Sequence, residues 1–221
     1  MTKVKICGLM DVEHALAAAE AGADFVGMVF AEGRRKLTPA KAKEIASAVH
    51  AIPNAPQVVG VFAGHSAAEV NRIAEFCGLD RVQLAGGEPW PFCLEMTHPV
   101  TKTVHIAPET TVDHVLGEIA EGERALAGRD VIVLLDTKVG KASGGTGHLF
   151  DWSIAREAAR YHSVIVAGGL DPENVGRLVT DVRPWGVDVS SGVETNGRKD
   201  PAKIRAFIEA VRRAEVSRAT G

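Results

Sequence analysis

Residues 164–192 read VIVAGGLDPENVGRLVTDVRPWGVDVSSG. The apolar run Val164–Ala167 meets a glycine pair, Gly168-Gly169. Asp171-Pro172 then supplies a capping residue ahead of a proline suited to the first helical position. A second run, Gly186–Ser190, ends on Ser191-Gly192. Strand, helix and strand in one stretch imply parallel pairing through a right-handed crossover.

The same alternation extends back to the first residues. Further strands are predicted at Val4–Cys7, Phe25–Phe30, Val58–Phe62, Arg81–Leu84, Thr103–Ile106 and Val131–Asp136. Between them, apolar residues recur at i, i+3, i+4 and i+7. Val12, Ala15, Leu16 and Ala19 do so, as do Ala42, Ile45, Ala46 and Val49. Val70, Ile73, Ala74 and Cys77 repeat the pattern, and Ile204, Phe207, Ile208 and Val211 repeat it after the last strand. Thr38-Pro39 and Asp200-Pro201 are further helix starts, and Ser66 with Glu69 reads as a capping box. Pro89 and Pro91 interrupt the segment after the fourth strand. The helix after the fifth lies within Thr111–Glu121.

Eight such units suit either an eight-stranded barrel or an open, doubly wound sheet. The first strand ends in Cys7-Gly8-Leu9-Met10, without the GxGxxG of a dinucleotide-binding sheet. We therefore read an α/β chain forming one (β/α)8-barrel domain over residues 1–221, with the tail after about Ala214 expected to fray. A chain of this length buries roughly 70–75% of its unfolded surface and needs no staple.

Composition narrows the function. The net charge of −3 and the absence of basic runs give no sign of a nucleic-acid partner. Cys7, Cys77 and Cys93 are an odd set without CxxC or metal-ligand spacing, so neither a disulfide framework nor a metal is expected. No apolar run approaches the ~20 residues that span a bilayer, and no signal-peptide core precedes Val4. We expect a reduced, cytoplasmic setting and no membrane partner. Nothing in the sequence marks an oligomeric interface. Of the eight histidines, His14, His50 and His114 read as helix-surface residues and the others receive no role.

In a barrel, chemistry belongs to the C-terminal ends of the strands. Cys7 ends the first strand and shares a face with Lys5, whose charge would favour a thiolate. Asp136 ends an otherwise apolar strand, where burial would raise its pKa toward the range of a general acid. Gly144-Gly145-Thr146-Gly147 lies in a long loop suited to a lid. Gly168-Gly169 and Ser190-Ser191-Gly192 follow the seventh and eighth strands, where barrels often hold phosphate through backbone N–H groups. Arg34 and Arg35 follow the second strand, and an arginine fork can grip a carboxylate. For each residue the plainer reading is structural: a buried thiol, a loop anchor, a tight turn or a solvated charge.

Taken together, these residues resemble the phosphoribosylanthranilate isomerase family of tryptophan biosynthesis. The resemblance runs through Lys5-Ile6-Cys7-Gly8, Ala21-Gly22-Ala23-Asp24, Val59-Gly60-Val61-Phe62 and Val82-Gln83-Leu84. It continues through Leu134-Leu135-Asp136, Gly144–Gly147 with Phe150-Asp151-Trp152, Ala167-Gly168-Gly169-Leu170 and Val187–Glu194. It implies Cys7 as general base and Asp136 as general acid. It implies Arg35 on the anthranilate carboxylate, and Gly168, Gly169, Ser190, Ser191 and Gly192 on the phosphate of a small phosphosugar. It implies an Amadori rearrangement without cofactor. Three positions depart from the family pattern. Ala85 stands where Gln-Leu-His-Gly has histidine, Met10 where threonine is usual, and Gly33 in a loop that usually carries serine. All three bear on substrate positioning. Neighbouring readings are indole-glycerol-phosphate synthase, which needs a lysine–glutamate pair, and a ribulose-phosphate epimerase, which needs a metal-binding His/Asp set. A third is a non-catalytic barrel that binds a phosphorylated ligand, for which an acid–base pair would be superfluous.

Overall fold

The computed structural model describes residues 1–137 and 152–219. The predicted loop Lys138–His148, with Gly144-Gly145-Thr146-Gly147, lies outside the described residues, as do Phe150 and Asp151. The elements run β1 (Lys3–Cys7), α1 (Val12–Glu20), β2 (Phe25–Val29), α2 (Pro39–His50), β3 (Gln57–Phe62), α3 (Ala67–Cys77) and β4 (Arg81–Leu84). A 3-10 helix (Trp90–Glu95) replaces the helix interrupted by Pro89 and Pro91. Then come β5 (Val100–Ile106), α4 (Val112–Ala125), β6 (Val131–Thr137), α5 (Ser153–Tyr161), β7 (Val164–Ala167), α6 (Val175–Val182) and β8 (Gly186–Val189). A small hairpin, β9 (Glu194–Thr195) and β10 (Arg198–Lys199), precedes α7 (Pro201–Ala219).

Strands β1 to β8 pair in sequence order and close into a parallel barrel. The seam joins β1 to β8, with Lys5 opposite Asp188 and Ile6 opposite Val189. Alternation sets the two faces of each strand. Val4 and Ile6 enter the large core between barrel and helices, while Leu134, Ile165 and Ala167 form a separate small cluster within the barrel. Both faces are apolar along most of the sheet, which is why its strands read as short hydrophobic runs.

The predicted caps at Thr38, Ser66 and Asp200 accept backbone N–H groups from Lys41, Glu69 and Ala202. Two expectations are corrected. Asp171 does not start α6. Its carboxylate accepts from the backbone of Glu173 and Asn174, closing a turn that delays the helix to Val175. Helix α7 is described to Ala219, and near its end Glu215 accepts from the Thr2 amide and pairs with Arg212. His14 is buried rather than on the surface, its ring bonded to the Asp11 carboxylate at 2.8 Å. Among the described residues, no helix is long and apolar enough to cross a membrane.

Candidate active site

Cys7 and Asp136 sit at the C-terminal ends of β1 and β6, on the barrel-facing side of their strands. Below Cys7, Lys5 is only 1% exposed. Its ammonium lies 3.1 Å from Asp188 Oδ1, across the seam. Burial disfavours that charge, but Asp188 and Cys7 more than compensate, so Lys5 stays protonated well past neutrality. Burial also dominates at Cys7 and pushes its thiol up. Lys5 opposes this shift without overcoming it, and Asp188 adds to it. Lys5 thus favours the thiolate, as its place on the shared strand face predicts, while burial acts against it more strongly.

Arg35 crosses the end of β1. A Cβ on Gly8 would lie 2.5 Å from Arg35 Cδ, so only glycine allows this approach. Arg35 Nε donates to Glu194 Oε1 at 2.8 Å, which leaves the two terminal nitrogens of its fork without a hydrogen bond among the described residues. Glu194 also pairs with Arg34 at 2.5 Å and with Lys199 at 3.2 Å. Burial would raise the Glu194 pKa, but hydrogen bonds from Arg35 and Arg34 and the Lys199 charge bring it down to about 2. Lys199 in turn donates to the Ser190 carbonyl at 2.8 Å.

Sequence reasoning did not single out Glu194 or Lys199. The available signal was Asn196-Gly197, a hairpin dipeptide between Thr195 and Arg198, whose two residues take φ of 52° and 78°. Substituting Glu194→Gln is expected to raise KM, because Arg35 loses its anchor. It should also lower the melting temperature at pH 7. A carboxyl depressed from 4.5 to about 2 stabilises the fold fully above 4.5 and loses that effect as pH falls through 2. The gap in melting temperature between wild type and variant should therefore close over that range.

At the ends of β7 and β8, Gly168 and Gly169 take φ of 98° and 61°, which turns their backbone away from the strand path. Gly192 lies under the neighbouring turn, where a Cβ would come 1.8 Å from the Leu170 carbonyl oxygen. The two glycine turns are thus in contact, as a shared anion cradle requires. Ser190 Oγ donates to the Cys7 carbonyl at 3.1 Å rather than facing outward, and it ties the end of β8 to that of β1. Gly192→Ala must displace that backbone. The expected outcome is a loss of about 1–3 kcal/mol in stability by thermal melting and a KM about tenfold higher.

His105 is a further residue that sequence reasoning passed over. It ends β5 on the face shared by Thr101 and Thr103, directly opposite Asp136 in register. Gln83 and Thr103 join below it through a 3.2 Å hydrogen bond. Of the departures, Met10 is partly exposed at the mouth beside Asp11 and Arg35. Gly33 lies in the turn between β2 and Arg35. A cavity of about 360 Å³ beside Trp90, Glu123, Arg129 and His162 lies by the starts of β6 and β7, away from this mouth. No cluster of three or more metal-ligating side chains occurs among the described residues.

A closed parallel barrel with a thiol and a carboxyl at the C-terminal ends of two of its strands places the chain in the (β/α)8-barrel class. Comparison with known proteins is more specific. The family model for N-(5'-phosphoribosyl)anthranilate (PRA) isomerase matches residues 4–210, so the chain belongs to that family. An N-(5'-phosphoribosyl)anthranilate isomerase of Dehalococcoides mccartyi is 50% identical over 218 residues, covering 99% of each chain. The crystal structure of the Thermotoga maritima isomerase matches with a TM-score of 0.78 at 37% identity, over 96% of this chain and 99% of that one. Another isomerase structure, in complex with reduced 1-(o-carboxyphenylamino)-1-deoxyribulose 5-phosphate, matches with a TM-score of 0.76 at 35% identity, over 96% and 99%.

Proposed function

We propose that this chain converts N-(5'-phosphoribosyl)anthranilate into 1-(2-carboxyphenylamino)-1-deoxyribulose 5-phosphate. Asp136 acts as general acid and Cys7 as general base. The observation that carries the assignment is that these two residues end barrel strands on the inward face, at the end where barrel enzymes bind substrate. Asp136 protonates the furanose ring oxygen, and the ring opens to a Schiff base on the anthranilate nitrogen. Cys7, as thiolate, removes the C2 proton to give an enolamine. That species ketonises as C1 gains a proton and the C2 hydroxyl loses one. The substrate gains two protons and gives up two, so no redox partner enters the balance.

The free nitrogens of Arg35 hold the anthranilate carboxylate as a fork. The backbone at Gly168, Gly169, Ser190, Ser191 and Gly192 holds the phosphate, with Ser190 contributing its main chain because its hydroxyl is engaged with Cys7. Three unpaired cysteines suit a reducing compartment, and we place the chain in the cytoplasm.

The test is turnover of freshly generated N-(5'-phosphoribosyl)anthranilate, followed by the loss of its fluorescence. An enzyme-dependent decay yielding a product of unchanged mass is expected. Decay only at the spontaneous rate, to anthranilate and ribose 5-phosphate, would overturn the proposal.

A further inference from the structure

Lys199 carries a charge that the reaction as written does not use. Only 3% of its side chain is exposed. A buried ammonium is costly unless its protons are matched. Here they meet the Ser190 carbonyl at 2.8 Å, Glu194 Oε1 at 3.2 Å and, in a longer contact, Ser190 Oγ at 3.5 Å. None is left over for a ligand. Both main acceptors lead into the site. Glu194 Oε1 is the same atom that accepts from Arg35 Nε. The Ser190 carbonyl belongs to the peptide whose other end is the Ser191 N–H. In a trans peptide these two groups point in opposite directions, and no cis peptide bond occurs among the described residues. Holding the carbonyl therefore fixes the direction of that N–H. The amides of Ser191 and Gly192 open a single 3-10 turn (Ser191–Val193), so they have no acceptor within it.

We propose that Lys199 is a positioning residue that keeps both anion grips of the site in one geometry: through the Ser190 carbonyl it aims the Ser191 N–H at the phosphate, and through Glu194 it steadies the Arg35 fork on the carboxylate. The inference rests on the reading of the β8 turn and Arg35 as those grips. The two grips converge at one point, since a Cβ on Gly8 would lie 2.5 Å from Arg35 Cδ and 3.1 Å from Ser190 Oγ. An ammonium suits the task because it polarises the peptide it touches and strengthens the N–H at the far end as a donor. Without Lys199 the Ser190 carbonyl keeps only the Val193 amide, at 3.4 Å. Glu194 keeps both arginines. The fold should therefore survive loss of the lysine while the turn loosens. The ligand served by such a device carries a phosphate and a carboxylate on one molecule.

Titration calorimetry with two probes tests this, using ribose 5-phosphate for the turn and benzoate for Arg35. Melting temperatures control for folding, and kcat and KM are measured alongside. Lys199→Met is expected to weaken ribose 5-phosphate about tenfold and benzoate at least about threefold, and to raise KM about tenfold with kcat within about threefold. Glu194→Gln should weaken benzoate and leave ribose 5-phosphate within about twofold, because Lys199 still holds the Ser190 carbonyl. Ribose 5-phosphate binding within twofold of wild type in a folded Lys199→Met would overturn the proposal. So would weakening of one probe alone, which would make the lysine a prop for one grip. A fall in kcat with both affinities intact would also overturn it, because the lysine would then act on the Cys7 charge. Should the methionine variant fail to fold, Lys199→Gln keeps a polar group in the buried site and is judged by the same criteria. Ribose 5-phosphate binding that is absent in wild type, or equally strong in Gly192→Ala, would instead remove the phosphate reading on which the proposal stands.

Discussion

Asp136→Asn is expected to lower kcat by about 10²–10⁴-fold while KM stays within a few-fold of wild type. The amide keeps the shape and polarity of the carboxyl but has no proton to give the ring oxygen. Ring opening is then left to water. The contacts proposed to bind substrate lie elsewhere, at Arg35 and the glycine turns, which is why binding should survive. The side chain is about a third exposed, so its replacement is not a core substitution and the fold should tolerate it. The measurement is fluorescence decay at saturating substrate. A variant with wild-type kcat would show that ring opening needs no acid from the protein, and that Asp136 is a loop anchor.

Cys7→Ala should be comparably damaging, again by about 10²–10⁴-fold in kcat/KM, since it removes the group proposed to take the C2 proton. This residue also has a measurable ionisation. Burial raises the Cys7 thiol above its ordinary value of 9.0 against the pull of Lys5. An acid with a raised pKa keeps its proton longer, so at pH 7 the resting protein holds a thiol. The thiolate fraction grows about tenfold for each pH unit below the midpoint. Subtracting the 240 nm titration of Cys7→Ala from that of wild type isolates this thiol from Cys77 and Cys93. A midpoint above 9 is expected. A midpoint near 7 would mean that Lys5 and Lys199 outweigh desolvation.

The barrel was largely legible in the sequence because a sheet covered on both faces is written as apolar runs. The exception teaches the rule. The start of β5, Val100-Thr101-Lys102, was missed because two of its three residues are polar. Thr101 is buried on the barrel side, and Lys102 faces outward with its ammonium 5.7 Å from the Trp90 ring. Cys7 and Asp136 could be found from position alone, as reactive side chains at the ends of strands. Arg35 gained its meaning only from the family resemblance, since two arginines in a loop are usually just solvated. Glu194, Lys199 and His105 escaped for a physical reason: each matters through a partner distant in sequence. Glu194 faces Arg35 across 159 residues. His105 meets Asp136 across a strand pairing that no local pattern encodes.

The ion pair between Lys5 and Asp188 has a consequence for how the chain assembles. Its two halves are 183 residues apart, so the first strand carries an unmatched ammonium until the eighth arrives. Such distant contacts form late, because the entropy of closing the intervening chain precedes any gain. A seam sealed two residues out of step would strand that ammonium in a dry interior, where a lone charge is strongly unfavourable. The pair therefore works as a proofreader of closure. It favours the one alignment in which both charges are matched, and that same alignment carries Cys7 and Ser190 to the rim side by side.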